Sequence, residues 1–357
     1  MKDKENKKSH SIFCENKLWG NNKNSLWLAS TIQLYRNIEK YKFPAKLTAD
    51  RRKQIVSLVS NELLGSSHLD KPTLLKAEEL STVEKEFLVE HFLTTHSFQE
   101  TGIGEAFILE EKGDFMATFN LRNHIHFELI DTNGDLESAW KKAIDMETAL
   151  GKAVNYSYSP KFGFLTADPG QCGTALIATA YLQLSGLIHT EVIDDKLDEL
   201  ADDSLMVTGI QGSPTEIIGD VLAVQNNYTL GVNEESIVTS LRSFITKILV
   251  EERASRSKIK ADENPQIKDK ISRAYAILIH SYQIEAVEAL NAISLLKLGI
   301  DLEWIKGISI EQLNLLFFNC RRAHLLCQFK EKIPQEEILH KRAEFIHNTL
   351  KGVELGF

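Results

Sequence analysis

The stretch from Gly104 to Gly151 constrains the fold more tightly than any other part of the chain. Ala106-Phe-Ile-Leu109, a Glu111-Lys-Gly-Asp114 turn and Phe115-Met-Ala-Thr-Phe119 form two short apolar runs around turn residues, which predicts a hairpin. Ile125, Phe127 and Leu129 alternate as a third strand, and Asn133-Gly134 closes it. Residues 136–151 then carry Ala139, Trp140, Ala143, Ile144 and Leu150 at helical spacing. Hairpin-linked strands with longer helices inserted indicate an α+β fold with a largely antiparallel sheet, rather than a doubly wound parallel one.

The flanking segments fit that frame. Residues 26–34 read as extended. Ile55, Val56, Leu58, Val59 and Leu63 mark a helix over 49–64 that Gly65 stops. Ser81-Thr-Val-Glu84 has capping-box spacing and opens a helix reaching about Leu93. An acidic helix over 191–203 presents a solvated face and lacks a calcium-loop pattern. Strands at 205–208 and 221–224 flank the Gly-rich segment 209–219, and Asn233 caps a long helix. Beyond Pro265 the pattern is helical, over 271–284, 286–298, 310–328 and 334–350.

These readings divide the chain into a mobile tail over 1–24, a sheet-based domain over 25–260 and a helical module over 261–357. The tail is rich in Lys, Asn and Glu and holds no signal-peptide core, and the most apolar later run, 175–188, is too short to span a bilayer. A cytoplasmic protein is expected, with no membrane partner. Cys14, Cys172, Cys320 and Cys327 are widely spaced and read as reduced thiols. A net charge of -9 argues against a nucleic-acid surface, and Arg51-Arg52-Lys53 and Arg321-Arg322 read as solvated helix faces.

Residues 162–179 read as strand, Asp168-Pro169-Gly170 turn and helix, with backbone N–H groups near 173–176 facing the loop. Such a terminus can hold an anion, yet the first helical turns supply no cation. Cys172 there is either a reactive thiolate or packing. His124, His126 and Glu128 alternate onto one strand face, but successive residues of one strand converge poorly on a tetrahedral ion, so no metal site is expected.

Several motifs together resemble the bacterial protein-arginine kinases of the ATP:guanido phosphotransferase family. They are Leu34-Tyr-Arg-Asn37 with Lys42-Phe-Pro44, Asn120 with His124, Gly163-Phe-Leu-Thr166 with Gly173-Thr174, Gly209 with Gly212, Asn226 with Thr229-Leu-Gly231, Glu252-Arg253 and Leu298-Gly-Ile-Asp-Leu302. The resemblance spans roughly residues 26–350. It implies a guanido-kinase-like antiparallel sheet flanked by helices, an all-helical C-terminal dimerisation domain, and ATP γ-phosphoryl transfer to a guanidinium through positioning and charge neutralisation. It also implies a homodimer and a protein partner, for which a zinc-binding activator protein of the kind accompanying this family is one candidate.

Residue by residue, the resemblance points to lost chemistry. The family's Ser-x-Arg-x-Arg pattern falls on Ser30, Thr31 and Gln33, with Thr31 and Gln33 at the arginine positions. Its acidic motif falls on Leu121, Arg122 and Asn123, and its next phosphate-binding arginine on His126. The reactive cysteine matches Asp168, a further arginine Ile177, and the last loop's arginine and glutamate Thr208 and Ser213. His91 matches a nucleotide-pocket histidine. Of the phosphoarginine-binding segment, only Arg342 and Ala343 remain. The expectation is a catalytically inactive pseudokinase acting by protein–protein interaction, with no cofactor. The alternative is an active kinase using ATP and magnesium with Arg36, Lys161 or Arg122 as displaced cations.

Overall fold

The computed structural model describes residues 18–329 and 331–357. After a 3-10 turn at Trp19–Asn21, the described residues form β1 (Trp27–Arg36), α1 (Ala49–Leu64), β2 (Thr73–Lys76), α2 (Thr82–His91), β3 (Ala106–Leu109), β4 (Phe115–Phe119), β5 (Ile125–Asp131) and α3 (Leu136–Gly151). It continues through β6 (Tyr158–Ser159), β7 (Gly163–Phe164), β8 (Leu176–Gln183), α4 (Ser185–His189), α5 (Ile193–Leu200), β9 (Leu205–Gly209), β10 (Val221–Asn226) and the long α6 (Glu234–Ala261). The last part holds α7 (Pro265–His280), α8 (Ala286–Asp301), β11 (Ile305–Lys306), α9 (Ile310–Asn319), α10 (Arg322–Cys327), α11 (Ile338–Thr349) and β12 (Glu354–Leu355).

Eight strands form one sheet in the order β2-β3-β4-β5-β1-β8-β10-β9, and each neighbouring pair is antiparallel. Several helices start where an N-cap side chain satisfies a free N–H group. Ser81 and Glu84 close the expected capping box, Asp135 caps α3, and Asn233 accepts from Ser236 N at the start of α6. One sheet face packs Ile32, Leu34, Phe127 and Ala180 against Ala143, Met146, Leu241 and Ile245 of α3 and α6. The other face is divided. At one end Ala29, Ile130, Tyr181 and Ala223 join a core with Phe92, Leu290, Phe317 and Phe318 from α2's end and the helical module, while the other end is polar.

Three sequence expectations change. Residues 176–183 form strand β8, not a helix, and Gly173 and Ala175 turn into it with positive φ. Ala- and Leu-rich composition favours helix by only tenths of a kcal/mol per residue. Pairing on both edges, to β1 and β10, with burial on both faces outweighs it. Gly173 is required there, because a Cβ would lie 2.1 Å from Thr229 O. No helix N-terminus therefore faces the loop before β8.

Second, the helix expected over 310–328 breaks at Cys320-Arg321 into α9 and α10. Arg321 donates to Glu90 O at 2.9 Å, and the Glu90 carboxylate accepts from Ala323 N, His324 N and His324 Nδ1. Arg322 pairs with Glu86. Arg321-Arg322 thus clamps the helical module to α2 instead of forming a solvated face.

Third, part of the expected mobile tail is packed; residues 1–17 lie outside the described residues. Trp19 is fully buried and stacks on Phe318 with ring centroids 3.5 Å apart, and Asn314 Nδ2 donates to the carbonyls of Asn22 and Asn24. Replacing a large buried aromatic by alanine costs about 3–5 kcal/mol. Trp19→Ala is accordingly expected to lower stability by that amount in urea denaturation; a loss below about 1 kcal/mol would show that the segment does not contribute to the core.

Candidate functional site

The polar end of the divided face is built from residues two apart on neighbouring strands. Gln33 lies opposite Glu128 on β5 and Ile177 on β8, Tyr35 opposite His126, and Thr31 opposite Thr179. Thr118 on β4 faces His126 from the next strand, and Thr208 lies on edge strand β9 opposite Ala223. The central side chains bond to one another. Tyr35 Oη donates to Gln33 Oε1 at 2.9 Å, and Gln33 Nε2 donates to Glu128 Oε1 at 2.7 Å. The Tyr35 ring stacks on His126 with centroids 4.5 Å apart.

Burial sets the charge of this floor. It pushes the Glu128 carboxyl from 4.5 up to about 8, overcoming the opposite pull of the Gln33 hydrogen bond, so Glu128 is mainly protonated at pH 7. Burial, assisted by the neighbouring His96, holds His126 well below its usual range and leaves it a neutral imidazole. Burial also raises the Tyr35 and Tyr181 phenols.

A cavity of about 110 Å³ lies at one end of the floor, lined by Tyr35, His96, Thr118, Leu121, Arg122, Asn123, His126 and Asp168 among others. Asn37 shapes its wall. Its amide donates to Asn123 Oδ1 at 2.7 Å and Leu165 O at 3.0 Å, while its Oδ1 accepts from His124 N. Asn123 Oδ1 also accepts from Ala167 N at 2.8 Å, so the two loops that present Arg122 and Asp168 are tied together. Arg122 is exposed and forms no ion pair among the described residues.

The remaining candidates lie elsewhere. Ser30 points to the opposite face and accepts from Trp27 Nε1. His91 is buried against Phe87 and His324, its Nε2 is 2.8 Å from Gly113 O, and burial lowers it to about 3. Ser213 turns its hydroxyl back onto the Thr215 and Glu216 N–H groups of its own loop. Arg342 is buried and donates to Cys320 O and Ile284 O, beside buried Ala343. Of the displaced cations, Arg36 is buried and ion-paired with Glu147 at 2.9 Å, and Lys161 sits over the Phe162 ring. Only Arg122 of the three reaches the cavity. His124 leaves the face of His126 and Glu128 to bond Ile38 N and Lys42 O. Cys172 is half-buried near Thr166 Oγ1, at the end of a 3-10 turn.

Residues 54–255 match the ATP:guanido phosphotransferase C-terminal catalytic domain, and residues 264–355 match the protein-arginine kinase McsB C-terminal domain. A protein-arginine kinase of Chlamydia pneumoniae is 30% identical over 92% of this chain and 93% of that protein. This chain belongs to the protein-arginine kinase family. A second relative, the protein-arginine kinase of Geobacillus sp. strain WCH70, is 32% identical over 92% of this chain and 91% of its own length. The fold is that of guanidino kinases: a crystal structure of lombricine kinase matches 67% of this chain and 70% of its own with a TM-score of 0.58 at 19% identity. Among the described residues no helix is long and apolar enough to cross a membrane.

At the positions that the resemblance assigns to phosphate-binding cations, the floor carries uncharged side chains. Threonine, glutamine, neutral histidine, isoleucine and threonine stand at 31, 33, 126, 177 and 208, and the carboxyl of Glu128 lies under Gln33. The 110 Å³ cavity is also below the roughly 300–1,000 Å³ of ordinary small-molecule sites. The His126 and Glu128 alternation is visible in the sequence. Its meeting with Gln33 and Tyr35 is not, because it depends on the register of β1 against β5.

The protonated carboxyl gives a pH signature. A carboxyl whose folded pKa is raised disfavours folding increasingly as pH climbs from its unfolded value, and the cost levels off above the folded one. For Glu128 that window runs from 4.5 to about 8. Glu128→Gln keeps the acceptor for Gln33 and removes the titration, so it should stabilise the protein by about 3 kcal/mol at pH 7 but only about 1 kcal/mol at pH 5. Urea denaturation at the two pH values measures this, and an equal effect at both would show that Glu128 is not a buried acid.

Proposed function

We propose that this member of the protein-arginine kinase family is a catalytically inactive pseudokinase that acts by binding another protein. The observation that carries the reading is the floor of the cleft, where Gln33, Glu128, Tyr35 and His126 bond or stack with one another and present no positive charge. Transfer of a γ-phosphoryl group depends on cations around its oxygens, and one transition-state arginine is worth about 10³–10⁵ in rate, or roughly 4–7 kcal/mol. Such losses do not add within one site, but Ile177 has no donor for a phosphate and Thr31, Gln33 and Thr208 carry no charge. Arg122 also places a cation where a guanidinium substrate needs a carboxylate.

A second reading, an active kinase with a displaced cation, is favoured by Arg122, which lines the cavity free of any ion pair among the described residues. We favour the first because one arginine leaves a triphosphate largely uncompensated and a guanidinium repelled. The same reading carries a cytoplasmic homodimer whose helical module or old cleft receives a protein partner, with a zinc-binding activator protein as one candidate.

Incubation with labelled ATP and an arginine-rich protein, with and without such an activator, tests the assignment. No phosphoarginine is expected in either condition. Phosphoarginine that disappears in Arg122→Gln would overturn the pseudokinase reading in favour of the second. Calorimetry with magnesium ATP is expected to give no binding tighter than about 1 mM, equivalent to about -4 kcal/mol; micromolar affinity would refute the loss of nucleotide binding.

A further inference from the structure

The cavity beside Arg122 is lined by polar groups that are not fully used within the chain. His126 is buried, and Thr118 Oγ1 lies 3.5 Å from its Nδ1. Burial keeps the ring neutral, so one ring nitrogen donates and the other accepts, and Nε2 is buried without a partner among the described residues. Asn123 uses its Oδ1 twice, for Asn37 Nδ2 and Ala167 N, which fixes the amide orientation and leaves Nδ2 as a donor at the cavity wall. Arg122 adds a guanidinium with no ion pair among the described residues, in the fork geometry that matches a carboxylate. The Arg122 guanidinium and the Asn123 amide therefore line one small space together with the His126 ring. A buried polar atom without a partner is costly, so Nε2 of His126 adds to the demand for a polar ligand.

Resting on the pseudokinase reading, we infer that this cavity is the partner-recognition site and that it receives a single glutamate or aspartate side chain of a bound protein. The polarity of the site selects that class. The charged groups lining it are one cation, Arg122, and one anion, Asp168, whose Oδ1 is engaged by Gly170 N at 3.0 Å. His96 and His126 are both lowered by burial and contribute neutral donors or acceptors at pH 7. A monoanionic carboxylate is neutralised by the one guanidinium, whereas a phosphate dianion keeps one charge uncompensated in a space that Asp168 also faces. A guanidinium side chain meets the like charge of Arg122, with Asp168 as the one anion lining the space. The volume of about 110 Å³ suits a side-chain head group. The overall charge of -9 does not forbid an acidic partner, because charges beyond about 8 Å are screened at physiological salt.

The test titrates the full chain with a blocked Gly-Glu-Gly tripeptide, its Gly-Gln-Gly and Gly-Arg-Gly counterparts, and inorganic phosphate. Imidazole 15N shifts report contact at His126, and calorimetry reports affinity. The glutamate peptide is expected to bind near 1 mM, at least about tenfold tighter than the glutamine or arginine peptide and than phosphate, and to shift the His126 resonance. Arg122→Gln should weaken it at least about tenfold, and Arg122→Lys should restore part of the loss without restoring a fork. Equal binding of the glutamine peptide, an unchanged affinity in Arg122→Gln, or no His126 shift would overturn the site. Tighter binding of phosphate would overturn the carboxylate assignment and point to a phosphoryl group, and tighter binding of the arginine peptide would show that the site still receives a guanidinium. Failure of these titrations leaves the pseudokinase reading standing, since that reading falls only if phosphoarginine forms.

Discussion

The rest of the structure depends on the buried Arg256 guanidinium. From α6 it reaches Glu252 one turn earlier, at 2.5 Å, and Asp301 at the end of α8. Glu252 is itself fully buried and accepts from the N–H groups of Gly186 and Leu187 at the start of α4, both at 2.8 Å. One cation therefore joins the helix that backs the sheet, the turn leaving β8 and the helical module. Removing one partner of such a buried pair costs about 3–5 kcal/mol, because the other is left charged and dry. Alongside, Lys297 of α8 is buried and bonds Gln183 Oε1, with burial lowering it to about 7, and Ser294 bridges Gln183 and Asp220. Such polar junctions tolerate little sliding, since any shift breaks several bonds together.

That fixed junction is what divides the second sheet face. It holds α8 and α9 over Ala29, Tyr181 and Ala223, and Gly219 marks how close the approach is: a Cβ there would lie 2.5 Å from the Phe317 ring. The other end of that face is polar, with Thr31, Tyr35, His126 and Glu128 buried in it. There Tyr35, Gln33 and a carboxyl that burial keeps protonated bond one another, while Glu128 Oε2, Thr31 Oγ1 and His126 Nε2 have no partner among the described residues. An ionised carboxylate beneath an arginine would be a different network.

Much of the fold was legible because local signals agreed with tertiary demand. The capping box at Ser81, the helix from Leu136 to Gly151 and the strands around Glu111–Asp114 stand where patterning places them. The misreadings fall where neighbours decide. Leu176–Gln183 is apolar without a clear period, so only its pairing between β1 and β10 makes it a strand. Trp19 sits in a polar stretch, and nothing local announces the Phe318 surface that covers it. His91 could be matched to a family position but not to its burial beside His324. The floor needed register, and the cavity needed the bond between Asn37 and Asn123, residues 86 positions apart.

The contacts that maintain the fold lie apart from the side chains that the resemblance assigns to chemistry. The strands pair through backbone groups, and the helical module is held by Arg256, Lys297 and the Glu90 cap; none of these uses positions 31, 33, 126, 177 or 208. Neutral residues at those five positions are therefore compatible with the scaffold, whose strand pairing does not depend on side-chain charge there. The walls of the cavity are kept by Asn37 and Asn123, whose bonds close the loops without regard to what occupies the space between them. On the reading proposed above, a cleft with a neutral floor and Arg122 at its wall lacks the charge to hold a triphosphate and suits a single negative group. Because preorganised donors lose little entropy on binding, a small site of this kind can recognise one acidic side chain while the surrounding surface supplies most of the contact area.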